Sequence, residues 1–91
     1  MMIETEAQAR ARAEAFLASE IQPATRHELV IMDVTGYANS WVAIFNSRRF
    51  AETGETSDAL AGNGPIIINR RTGAVRLGVT AKPIEEQLDD A

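Results

Sequence analysis

The sequence has no cysteine and only one histidine. The missing cysteines exclude a disulfide framework, a thiolate metal site and a cysteine nucleophile. A zinc site needs three or four ligands, which a single histidine without cysteines does not provide. His27 lies between two charged residues at the start of a predicted strand, where a solvated surface residue is expected rather than a base. No serine has a credible histidine and carboxylate partner. We therefore expect no catalytic residue, no metal and no cofactor.

Long apolar runs and an excess of basic residues are also missing. No run approaches the roughly 18 residues of a membrane-spanning helix, and the N-terminus lacks the basic start and apolar stretch of a secretory signal. We therefore expect a cytoplasmic protein without a membrane partner. The net charge of −4 argues against nucleic acid, because binding phosphates needs a basic surface. It leaves a basic protein partner open.

What the chain does have is typical of a small globular domain. Its 91 residues are 45% apolar and 24% charged, which is ordinary for a folded soluble protein. A chain of this length supports one modest core. We therefore predict a single domain over residues 1–91.

The N-terminal part has the composition and spacing of a helix. Residues 4–20 are rich in alanine, glutamate, arginine and glutamine, which favour helix. Their narrow apolar face consists of Ala9, Ala13, Phe16 and Leu17. Thr5 and Gln8 fit a capping box at its start, and Pro23 ends it.

Four apolar segments in the rest of the chain are predicted to be strands. They cover residues 28–35, 41–46, 65–70 and 75–80, and a short helix follows from Pro83 to residue 90. Alternation places Val30, Met32 and Val34 on one face of the first strand. It turns Val75, Leu77 and Val79 inward in the last, where Gly78 marks either a bulge or a close approach. Hairpin-length links predict an α+β fold with the N-terminal helix packed on a four-stranded antiparallel sheet and a short C-terminal helix.

The segment 47–64 is the least regular part and is expected at the surface. We expect residues 48–52 to continue the preceding strand past a bend, and Ser57 to cap a helical turn over residues 58–61. The following "GNGP" does not fit a phosphate loop, because its glycines precede a strand rather than a helix. Gly64 and Pro65 are therefore interpreted as a structural corner.

The acidic C-terminus leaves two interpretations open. Glu85 and Asp89, like Glu86 and Asp90, are one helical turn apart. A metal site or an acid–base pair is conceivable there, but a solvated helix end is the favoured interpretation.

The ordered motifs from Trp41 to Glu86 resemble the immunity protein 35 family, also described as YrhB-like. These motifs are "SWVAIFNS", "ALAGNGP", an apolar strand, a "TG" hairpin and "PIEE". Members of the family are small bacterial proteins found beside toxins of polymorphic toxin systems. Its hallmarks, a tryptophan in a central strand and a Gly-Pro motif, correspond here to Trp41 and to Gly64 with Pro65. The resemblance implies an α+β fold and a protein without catalysis.

On this resemblance, the expected function is to bind a cognate toxin and to occlude its active site or its substrate path. The segment 47–64 is the predicted contact region, in which Glu52, Glu55 and Asp58 would face a basic toxin cleft. Two other classes stay open. One is a housekeeping binding or chaperone-like module without a toxin partner, and the other is a small enzyme with a titratable pair in a cleft. A homodimer through an exposed edge strand is also possible.

Overall fold

Four antiparallel strands and three α-helices make up the part of the chain that the computed structural model describes, residues 2–60 and 62–88. The elements are α1 (Glu6–Phe16), β1 (Leu29–Gly36), β2 (Ser40–Ser47), α2 (Arg48–Thr53), β3 (Ile66–Asn69), β4 (Val75–Leu77) and α3 (Ile84–Gln87). The sheet order is β1-β2-β3-β4, and each neighbouring pair is antiparallel. The predicted α+β fold is confirmed. No helix in these ranges is long and apolar enough to cross a membrane.

The helix α1 begins with the predicted capping box. Thr5 Oγ1 accepts a hydrogen bond from the Gln8 amide at 3.1 Å, and Gln8 Oε1 accepts one from the Thr5 amide at 3.1 Å. Past Phe16 the helix widens into a π-helical turn, Leu17–Ile21, before a 3-10 turn that contains Pro23. The helical conformation therefore continues through Pro23 to Ala24, past the predicted end at residue 20, rather than stopping before the proline.

The main core lies between α1 and one face of the sheet. Small side chains on α1 allow its backbone to approach the sheet closely, because Ala9 and Ala13 are fully buried. The strands supply larger apolar side chains that stack beneath the helix. The buried members of this core are Ile3, Ala9, Ala13, Leu17, Leu29, Val34, Trp41, Ala43, Phe45, Ile66 and Ile68.

A β-bulge in β1 changes which side chains face the core. Ile31 pairs with Phe45 and Asp33 with Ile44, so Met32 is an extra residue in the ladder. The bulge reverses the alternation, because an inserted residue shifts all later side chains by one position. Val34 is buried and Met32 is exposed. The prediction that these two residues share a face is therefore wrong.

The strand β4 is shorter than predicted. It ends at Leu77 rather than at residue 80, and Leu77 and Val79 are 48% and 51% exposed. Leu77 pairs with the buried Ile66 and so lies on the predicted face, but it is exposed at the edge of the sheet. The prediction that Val79 faces inward is wrong. The cause is a close approach at Gly78, whose amide donates to the Pro65 carbonyl at 2.7 Å while its Cα faces Gln87. The chain leaves the sheet at this point.

The C-terminal segment then crosses the second face of the sheet. Val42, Ile67 and Leu88 form a small buried cluster there, with Tyr37 and Ile84 packed against it. The helix α3 is shorter than predicted, and the last predicted helical residues, Asp89 and Asp90, lie outside the described residues.

The segment after β2 is folded differently from the prediction. Residues 48–52 belong to the helix α2 rather than to a continued strand. Ser47 caps the start of α2, and Gly54 ends it with a left-handed φ of 70°. The predicted turn capped by Ser57 is also wrong: a 3-10 turn covers Thr56–Asp58, and Ala61 lies outside the described residues.

Candidate partner-binding surface

The predicted contact region forms one surface, made of α2 and the 3-10 turn that follows it; we call it the α2 surface. Ser47 holds its two parts together. The side chain of Ser47, a residue only 2% exposed, accepts a hydrogen bond from the Phe50 amide at 3.0 Å. It also donates to the Asp58 carbonyl at 2.7 Å. One hydroxyl therefore caps the helix and anchors the turn.

Two asparagines fix the end of the same segment to β2. Asn46 Oδ1 accepts hydrogen bonds from the Leu60 amide and from the Ser47 amide, both at 2.8 Å. Asn63 Nδ2 donates to the Phe45 carbonyl at 3.4 Å. The irregular segment is thus a set of turns with defined hydrogen bonds rather than a loose loop.

Asp58 takes part in this internal network. Its carboxylate accepts a hydrogen bond from Arg49 Nε at 3.1 Å and another from Thr53 Oγ1 at 2.8 Å. The Asp58 side chain is 20% exposed, whereas the Arg49 side chain is 79% exposed. Asp58 therefore positions Arg49 and Thr53. Its predicted contact with a partner stays a prediction.

The remaining charges of the α2 surface are acidic. Arg48 forms an ion pair with Glu28, and Arg49 pairs with Asp58. Glu52 and Glu55 are exposed, and within the described part of the chain neither carboxylate has a hydrogen bond or an ion pair. Because both arginines have an acidic neighbour, the two glutamates dominate what this surface presents to solvent.

Trp41 belongs to the hydrophobic core and not to the α2 surface. Its ring is buried, and Nε1 donates to the Ile3 carbonyl at 3.0 Å. The guanidinium of Arg70 lies over the ring, 4.1 Å from its centroid. This geometry permits a cation–π interaction. Trp41 thus ties the N-terminal residues and the end of β3 to the sheet.

Gly64 and Pro65 form a packed corner. A Cβ atom on Gly64 would lie 1.9 Å from the Gly78 carbonyl oxygen, so this position has room only for glycine. Pro65 is buried, and its carbonyl accepts the hydrogen bond from Gly78. This corner holds the start of β3 against the end of β4.

The other residues considered for catalysis or metal binding lie apart from one another in the structure. His27 is exposed, with its amide bonded to Thr25 Oγ1 at 3.2 Å. Glu85 and Glu86 lie in the first turn of α3, and their predicted partners at 89 and 90 lie outside the described residues. In residues 2–60 and 62–88, no group of three or more histidine, cysteine, aspartate or glutamate side chains could hold a metal.

Sequence reasoning missed two contacts near these residues. The Glu28–Arg48 pair follows from the hairpin, because the Arg48 amide donates to the Glu28 carbonyl at 2.7 Å across the start of β1. The predicted pairing of the first two strands could have revealed this ion pair. The stacking of Arg70 on Trp41 had no such signal, because it depends on the register of β2 with β3, which are not joined by a hairpin.

Comparisons with known proteins agree with the resemblance. The model of the family described as Immunity protein 35 matches residues 7–91. "Uncharacterized protein YrhB" of Escherichia coli (strain K12) is 43% identical over 54 residues, which cover 59% of this chain and 57% of that protein. The match thus spans a little over half of that relative's length. No solved structure matches the chain. Since the family model covers nearly the whole sequence, the chain belongs to the immunity protein 35 family.

Proposed function

We propose that this chain binds a cognate bacterial toxin domain and neutralises it by covering the active site or the path of the substrate. Membership of the immunity family implies toxin neutralisation and a toxin partner. Immunity proteins of this kind are generally non-enzymatic inhibitors. The proposal therefore assigns no catalytic residue and no cofactor.

The choice of the α2 surface as the binding surface rests on the exposed pair Glu52 and Glu55, which lie on a rigid support. Both lie on the α2 surface, whose backbone is fixed by the hydrogen bonds of Ser47 and Asn46. A surface fixed before binding loses little conformational entropy when the complex forms. Two exposed carboxylates on such a support suit a cleft lined by basic side chains.

Asp58 has a positioning role in this proposal. Its carboxylate holds Arg49 and Thr53, and through them it keeps the turn against α2. An Asp58→Asn change would weaken the charge-assisted bond to Arg49. We expect a smaller loss of toxin affinity from this change than from changing Glu52 and Glu55.

The experiment uses the toxin domain encoded next to this chain. Glu52→Lys with Glu55→Lys reverses both charges, and we expect the dissociation constant to rise roughly tenfold to a hundredfold. The matched control is Glu85→Lys with Glu86→Lys, which changes the net charge equally at two exposed glutamates of α3. Calorimetry measures affinity, and survival of toxin-expressing cells measures neutralisation.

Each outcome decides a different part of the proposal. Equal effects of the two double variants would reject the α2 surface while leaving toxin binding intact. Absence of a complex together with absence of cell protection would reject the function itself. That result would favour a housekeeping binding module without a toxin partner.

A further inference from the structure

One edge of the sheet is long enough to receive another strand. The two edge strands are β1, with eight residues, and β4, with three. An edge strand exposes a row of backbone amides and carbonyls that can pair with another chain. Which groups of β1 point outward follows from its hydrogen bonds to β2.

Past the bulge, the hairpin fixes the outward positions. The Tyr37 amide donates to the Ser40 carbonyl at 2.7 Å. Because bonded and non-bonded pairs alternate in an antiparallel ladder, Thr35 and Asp33 bond toward β2. The backbone groups of Val34 and Gly36 therefore point to the outer edge.

Before the bulge, the same reasoning starts from Glu28. Its carbonyl accepts from the Arg48 amide at 2.7 Å, so Val30 bonds toward β2 while Leu29 and Ile31 point outward. The structure bears this out at Leu29, whose amide donates to Gln22 Oε1 at 3.0 Å.

Gln22 occupies one end of this edge in the manner of a neighbouring strand. Its Nε2 donates to the His27 carbonyl at 2.6 Å while its Oε1 accepts from the Leu29 amide. A carboxamide has the same donor and acceptor as a peptide group. The outward groups of Ile31, Val34 and Gly36 have no backbone partner among the described residues.

A groove of about 230 Å³ lies beside this edge, between the π-helical turn and β1. Its lining combines apolar side chains with polar and charged ones. A strand added to β1 would direct alternate side chains toward the helix layer, as in other cases of strand addition. The groove is lined by Glu14, Leu17, Ala18, Gln22, Leu29, Val30, Ile31 and Arg48.

A second copy of this chain does not fill the groove through its own β1. The side chains of β1 that face the helix layer, Leu29, Ile31 and Val34, pack in the core of their own molecule. They cannot reach into the groove of a neighbour. An occupant with an uncommitted apolar side chain is required.

We propose that the outer edge of β1 binds an extended segment of the toxin, which adds a fifth strand and places one apolar side chain in the groove. This inference rests on the proposed function. The edge is continuous with the α2 surface, because Arg48 at the start of α2 lines the groove. The toxin segment has about five residues and no proline where it pairs with β1.

Amide exchange measured residue by residue tests the backbone pairing. In the complex with the neighbouring toxin domain, the amides of Ile31, Val34 and Gly36 should exchange about a hundredfold more slowly than in the free chain. The amides of Asp33 and Thr35 already bond to β2 and serve as internal controls. Their exchange changes far less.

A matched pair of variants tests the groove. Ala18→Arg places a long charged side chain at the groove, and Ala11→Arg makes the same change at an exposed position of α1 away from it. We expect Ala18→Arg to weaken toxin binding about tenfold or more, and Ala11→Arg to leave it within about twofold.

The possible results separate this inference from the proposed function. A complex without slowed exchange at the three outward amides, and with equal affinities of the two variants, overturns the added strand but not toxin binding. Protection that appears in the free chain and rises with its concentration assigns the edge to a second copy and also overturns the inference. Absence of any complex overturns both proposals.

Discussion

At the scale of single residues, Gly64 and Gly78 lie against each other at the corner between β3 and β4. A Cβ atom on Gly64 would meet the Gly78 carbonyl oxygen at 1.9 Å. A Cβ atom on Gly78 would meet Gln87 Oε1 at 2.6 Å and the side chains of Pro65 and Ile67 at 3.0 Å, which are all side-chain atoms. The Gly78 carbonyl belongs to backbone that the Gly78–Pro65 hydrogen bond holds in place, so it cannot move aside as a side chain can.

The two glycines should therefore differ in their tolerance of alanine. We expect Gly64→Ala to lower the free energy of unfolding by about 3 kcal/mol or more, and Gly78→Ala by clearly less. Urea unfolding followed by tryptophan fluorescence measures both. Losses of similar size would contradict the packing described at this corner.

The sequence predicted some of these residues and not others. A tryptophan in an apolar strand is typically buried with its N–H bonded, and Trp41 has both properties. Gly64 was expected to be a structural corner, but its contact with Gly78 needs the register of two strands. Asp58 was predicted from charge alone, and charge does not reveal a neighbour such as Thr53 that binds the carboxylate.

At the scale of elements, α2 depends on its capping residues more than on an apolar face. None of its residues is buried, so burial of side chains contributes little to its stability. Ser47 before it and Gly54 after it are typical helix boundaries. The sequence contains these boundary residues, but residues 48–52 lack the apolar period of a helix and were interpreted as a continued strand.

Ser47→Ala should therefore loosen the whole α2 surface. It removes the cap of α2 and the bond to the Asp58 carbonyl, and we expect a loss of about 1–3 kcal/mol in the free energy of unfolding. Amide exchange at Phe50 should accelerate, because that amide loses its partner. Denaturant unfolding and exchange measurements check both effects.

Ser57→Ala is the matched control for this prediction. Ser57 is an exposed serine in the same surface and does not cap the 3-10 turn. Its loss should change the stability by no more than about 0.5 kcal/mol. If the two alanine variants were equally stable, the hydroxyl of Ser47 would not be what holds the surface together.

At the scale of the whole molecule, the sheet is apolar on both faces and covered unequally. The strand β3 explains this, because Ile66 and Ile68 enter the main core while Ile67 joins the smaller cluster. An unbroken apolar run of this kind is typical of a strand that is buried on both faces. The layers followed from helix and strand patterns, whereas the bulge at Met32 and the early end of β4 depend on the register within each hairpin, which alternation cannot predict.

The charge of the molecule leads to a prediction about how it meets its toxin. The chain carries a net charge of −4. The carboxylates of Glu52 and Glu55, which have no partner among residues 2–60 and 62–88, add a local negative field. Attraction to a basic cleft acts over a distance that salt shortens. Raising the ionic strength from about 50 to 500 mM should therefore lower the association rate roughly tenfold, with a smaller change in the dissociation rate.

Stopped-flow measurements of the association rate across this salt range test the prediction. The two double variants show which carboxylates cause the salt dependence. Both raise the net charge from −4 to zero, so an effect of overall charge alone would flatten the salt dependence equally in each. An origin in the α2 surface requires Glu52→Lys with Glu55→Lys to flatten it more than Glu85→Lys with Glu86→Lys. An association rate that salt leaves unchanged would show that shape and apolar contacts, rather than these carboxylates, govern how the toxin is found.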